Sequence, residues 1–143
     1  MTRFVLLIPA LALAGCATIA GTVGESWNAA LVGGQEVPDP GDPDGTGTIR
    51  LTADSATNTV CYTLDVRDIS TPTAAHIHKG ARGVAGPVVL PLAAPVTGRS
   101  KECLSVDKAL AAAIIADPAG YYANVHTADY PKGAIRGQLA ATR

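Results

Sequence analysis

The chain is poor in the residues on which many function classes depend. Its 143 residues include one methionine, at position 1, together with three cysteines and three histidines. Without an internal methionine, the thioether ligands that select cuprous ions are missing. Charge is sparse and balanced, 11 Lys and Arg against 12 Asp and Glu. That leaves no concentrated basic surface of the kind nucleic acid requires, and no polybasic or amphipathic helix to lie on a membrane. The apolar run near the N-terminus is too short to span a bilayer. There is no serine nucleophile motif, and His126 has no free cysteine to act with, so hydrolase chemistry is disfavoured. Glu36 and Asp129 are carboxylates a glycosidase could use, but nothing in the sequence brings them together. Convincing internal repeats are absent too.

What is present begins with an export pattern. Arg3 is followed by FVLLIPALALAG, a short apolar stretch of secretory type. It ends in Leu13-Ala14-Gly15-Cys16, which resembles a bacterial lipobox and implies lipid attachment at Cys16. The alternative is an ordinary signal peptide cut near Ala20. Residues 1–15 are then a lipoprotein signal peptide, 16–26 a small and polar tether, and 27–143 one domain, which is what this length allows. Thr18 stands where an aspartate would favour inner-membrane retention. The expected location is therefore the outer membrane, facing the periplasm or the cell surface, with the lipid as the membrane attachment.

Export changes how the remaining cysteines read, since an oxidising compartment favours pairing. In VCYTLDV and KECLSV, Cys61 and Cys103 both fall on the more polar face of alternating strands, and a Cys61–Cys103 disulfide is expected. Closing that loop is worth roughly 3–4 kcal/mol. Strand patterns recur along the chain at WNAALVGG, with the first strand ending at Gly33-Gly34, and at TIRLTAD, NTVCYTLDVRDI, AAHIH, VVLPLA, RSKECLSV, YYANVHT and AIRGQLA. Turn residues separate them, most densely in PDPGDPDGTG. Only KALAAAIIA reads as helix, capped by Asp107 or Ser105 and stopped by Pro118. The expected fold is all-β, an antiparallel β-sandwich or barrel with one short helix.

Two histidines share the stretch AHIHKGARGVAGP. On a strand, His76 and His78 point to one face, ~7 Å apart, while Ile77 points to the other. His126 lies in a later strand, on the same face as Asn124. Three imidazoles meeting there would suit copper, and zinc less well, with an open position left for water or substrate. Tyr121, Tyr122 and Tyr130 flank His126, and their expected role is strand packing, with hydrogen bonding to a ligand histidine as the alternative. The glycines at 80, 83 and 86 lack the context of a phosphate loop and read as a tight connection.

Three motifs, LVGGQEVP with Leu31, Gly33, Glu36, Val37 and Pro38, then AHIHKGARGVAGPVVLPL and GYYANVHTADYPKGAIRGQL, resemble the CHRD domain family, known from chordin and from single bacterial modules. The likeness runs from about Trp27 to Leu139 and implies an immunoglobulin- or superoxide-dismutase-like Greek-key sandwich. The His-x-His strand with a late third histidine is also similar to the copper site of copper/zinc superoxide dismutases, although a bridging histidine and a zinc cluster are missing. That resemblance implies copper at His76, His78 and His126 and, if there is turnover, a copper-dependent oxidoreductase acting on superoxide. Tyr122, Asn124, Tyr130 and Arg136 are then candidates to surround the ligands. The competing expectation is a metal-free surface module for a protein or matrix partner. Neither the partner nor the oligomeric state can be read from the sequence.

Overall fold

The computed structural model describes residues 24–141. The signal peptide, Cys16 and most of the tether lie outside the described residues. Nine strands and one α-helix are found among those described: β1 (Glu25–Val32), β2 (Thr46–Asp54), β3 (Thr59–Arg67), β4 (Pro72–Lys79), β5 (Val88–Leu92), β6 (Arg99–Ser105), α1 (Lys108–Ala116), β7 (Tyr121–Thr127), β8 (Ile135–Gln138) and the two-residue β9 (Ala140–Ala141). The strands were expected within a residue or two of these bounds, except that the first stops at Val32, where a 3-10 turn at Gly33–Gln35 takes over.

All pairings are antiparallel and form one sheet in the order β5-β4-β7-β8-β1-β2-β3-β6, with β9 beside β1. The neighbours β3 and β6, and likewise β4 and β7, are not consecutive in the chain, which crosses from one half to the other between β3 and β4 and again between β5 and β6, a Greek-key path. The expected sandwich takes the form of a single sheet curled on itself. Its halves, β5-β4-β7-β8 and β1-β2-β3-β6, share one apolar interior and are joined through Val32 opposite Arg136.

Period-two alternation explains the interior. Trp27, Ala29 and Leu31 of β1 are buried, as are Ile49, Leu51 and Ala53 of β2, and Val60, Tyr62, Leu64 and Val66 of β3. Ile77 of β4 joins the same cluster, and its burial is worth about 2 kcal/mol. The helix contributes Ala111 and Ile114 and packs on β2. Asp107 is its N-cap, but through its backbone carbonyl, which accepts from Leu110 and Ala111 N–H. Cys61 and Cys103 stand opposite each other on β3 and β6 and are bonded, tying the edge strand β6 to the sheet. With a sequence separation of 42, the link contributes about 4 kcal/mol by loop closure.

One strand breaks the alternation. On β7, Tyr121, Ala123 and Val125 face the interior, yet Tyr122 and Asn124 on the opposite face are buried as well. That face is covered by the loops after β4 and after β7, and it is where the histidines lie.

Candidate metal centre

Adjacency of β4 and β7 brings the three histidines together. His76 pairs with Asn124, His78 with Tyr122, and Ala74 with His126, so parity puts the three rings on one face. A β-bulge between Ile77 and His78 shifts the register to β5 at this point, as bulges beside functional sites do. One ring nitrogen from each of His76, His78 and His126 lies within 4.8 Å of the others. Ring centroids are 5.6 Å apart for His76–His78 and 5.0 Å for His76–His126. All three residues are half-buried.

Backbone carbonyls fix the orientation of two rings. His78 Nδ1 lies 2.8 Å from Gly86 O, and His126 Nδ1 lies 3.0 Å from Pro131 O. A carbonyl only accepts, so both Nδ1 atoms carry the hydrogen and both Nε2 atoms present a lone pair. His126 Nε2 accepts from His76 Nδ1 at 3.1 Å. His78 Nε2 is buried with no partner at all. An unsatisfied buried nitrogen is costly, and here it points its lone pair where two other imidazoles converge. Carbonyls behind the rings are the usual outer support of a histidine metal site. The donor set therefore fits an ion held by His78 Nε2, His126 Nε2 and a nitrogen of His76.

Electrostatics keep His76 and His126 in the ligating form. Burial lowers the His76 pKa, with the neighbouring His126 and His78 adding to the effect, while the buried Asn124 carbonyl, lacking a well-aligned partner, offsets it in part. Burial also lowers that of His126, against the bond to Pro131 O. Both rings are neutral near pH 7.

The surroundings only partly match the expectations. Tyr122 stacks on His78 at 4.8 Å with 9° between ring planes. Its hydroxyl accepts from Gly86 N–H at 3.1 Å. Asn124 sits between His76 and Arg136 on one rung of the sheet. Tyr130 enters through its backbone: its carbonyl accepts from Thr127 and Gly133, and its N–H donates to Thr127 Oγ1. Glu36 and Asp129 form no carboxylate pair, since Asp129 accepts from Ser70 whereas Glu36 is buried near Arg136. Burial pushes the Glu36 carboxyl up to about 7, against the pull of Arg136 and the Val37 N–H. Sequence reasoning missed Gly86, Pro131 and Gln138, whose side-chain amide reaches Gly80 O at 2.8 Å. Two of them act through backbone carbonyls, which carry no side-chain signal.

The family model for the CHRD domain matches residues 27–139. No curated protein and no solved structure matches the chain.

Proposed function

The chain belongs to the CHRD domain family, and on that premise we propose that it is an exported metal-binding domain holding copper through His76, His78 and His126. The supporting observation is the buried, unpartnered His78 Nε2 among ring nitrogens within 4.8 Å of one another. Copper is favoured over zinc because the cluster is all imidazole, with no carboxylate in it, and divalent copper binds such sets most tightly of the first-row ions. The remaining cysteines are tied up with each other, so no thiolate competes. Bound there, copper would supply one-electron redox chemistry toward a small oxygen species such as superoxide. The chain's own contribution is to hold two lone pairs in place through Gly86 and Pro131. His76 is the adjustable member, because its Nδ1 hydrogen, now donated to His126, must leave or move for that nitrogen to ligate.

Dialysis of the purified protein against equimolar Cu(II) and Zn(II), followed by elemental analysis, tests this reading. One copper per chain is expected, and none in His76→Ala/His78→Ala. A superoxide-consumption assay on the loaded protein then separates turnover from storage. Absence of stoichiometric metal in the wild type would leave the second reading, a surface module. A shallow concave face of about 560 Å³, lined by residues that include Asn28, Thr48, Arg50, Thr63 and Arg99, favours that alternative as a place for a macromolecular partner.

In the same proposal Cys16 carries a lipid that anchors the domain to the outer membrane. The support is the order Leu13-Ala14-Gly15-Cys16 with Thr18 behind it. Metabolic labelling with an alkyne fatty acid should mark the wild type and move it to the membrane fraction. Label retained in Cys16→Ser would refute the anchor.

A further inference from the structure

Arg136 is only 2 % exposed, and among the described residues no carboxylate lies within ion-pairing distance of it. A buried cation without a paired anion is costly, so where its donors go is informative. Its Nη2 donates to Ala81 O at 3.0 Å and to Val84 O at 2.9 Å, both in the exposed 80–87 loop. The guanidinium carbon also lies 3.4 Å from the centroid of the Tyr122 ring. Tyr122, on the strand between β4 and β8, reaches the same loop through Gly86 N–H and stacks on His78. Gly86 O in turn accepts from His78 Nδ1–H. Two routes thus run from one buried cation to one imidazole: through the loop to Nδ1, and through the Tyr122 ring to the plane of His78.

We propose that Arg136 and Tyr122 are positioning residues for His78, fastening the 80–87 loop so that Gly86 O holds His78 in the Nδ1–H tautomer with Nε2 free to ligate. The inference rests on the metal reading for its purpose, but the tautomer itself is a property of the metal-free protein. Nothing comparable fastens His126 from this side, since its carbonyl belongs to Pro131, in the separate loop after β7. Loss of the latch therefore acts on one histidine and spares the other.

The test is imidazole nitrogen NMR of histidine-labelled, metal-free protein at pH 7.5, comparing wild type, Arg136→Lys and Tyr122→Phe. Thermal melts and amide spectra establish that each variant is folded. Wild-type His78 is expected as the Nδ1–H tautomer; the variants are expected to show mixed or Nε2–H His78 with His126 unchanged. Their copper dissociation constants should rise by about 10- to 100-fold, the range for lost outer support of a ligand. If Arg136→Lys does not fold, Tyr122→Phe, which keeps the ring and loses only the hydroxyl, still decides the matter. A folded variant with His78 unchanged overturns the latch. Failure of the wild type to take up copper overturns the metal reading instead, and the tautomer comparison still judges the latch.

Discussion

Replacing Gly86 by alanine is expected to weaken copper binding by about 100-fold, the upper end of what loss of a ligand's outer support costs, while most of the sheet stays folded. A Cβ built at Gly86 would stand 1.7 Å from Lys79 O and 2.6 Å from Lys79 C. Both are backbone atoms at the end of β4 and have no rotamer to escape into. The loop must lift, breaking the bond from Lys79 N–H to Pro87 O and the one from Gly86 N–H to the Tyr122 hydroxyl. His78 then loses its carbonyl. Overpacking of this kind costs about 1–3 kcal/mol of stability, because the strain falls on a surface loop and not on the interior. Gly34→Ala is the control, since a Cβ there meets nothing within 4 Å. Calorimetric titration with Cu(II) and a thermal melt of both variants read the two effects. A Gly86→Ala protein that binds copper as tightly as wild type would sink the carbonyl's assigned role.

The second large effect is a pH dependence. The Glu36 carboxyl is buried, Oε1 has no hydrogen-bond partner, and a Cβ on Gly133 would fall 2.3 Å from that atom. Its pKa stands at about 7 in the folded protein against an ordinary 4.5. The folded state therefore holds the proton more tightly than the unfolded chain. The stability this gives is fully present below about 4.5 and is lost as pH rises through 7. The swing is on the order of 3 kcal/mol. Glu36→Gln keeps the shape and discards the titration. The variant is expected to be comparable to wild type at pH 5 and more stable at pH 8, with urea midpoints diverging between them. His76 and His126 titrate with the opposite sign, their lowered pKa values costing stability only in acid, and they are common to both proteins. Parallel pH profiles for the two would refute the buried acid.

Much of this was readable from side chains alone. Alternation in NTVCYTLDVR gave β3 and its inward face, and the even pair of cysteines gave the bond that now ties β6 to it. HIH around an inward Ile77, with His126 on a matching face of another strand, gave the histidine cluster, because strand parity is a local property. Several other features were beyond reach. The two carbonyls that set the tautomers belong to the backbone at Gly86 and Pro131, where any residue supplies the same atom. Arg136 was legible as a candidate near the ligands, but its role depends on a loop 52 residues away folding over it. Glu36 lies just before the proline-rich loop, and its surroundings come from Gly133 and Arg136 at the far end of the chain.

The pairing of β4 with β7 has one more consequence, and it concerns time. His76 and His126 touch across 50 residues of sequence, with β5, β6 and α1 in between. Contacts of such span close late, after the entropy of a long loop has been spent. A nascent or unfolded chain has a His-x-His pair but no third nitrogen beside it. If the domain crosses a membrane unfolded, it crosses without a finished site, and the ion is taken up at the destination. On the proposed reading of an exported copper domain, the metal supply of the receiving compartment, and not that of the cytoplasm, would then determine what the protein carries.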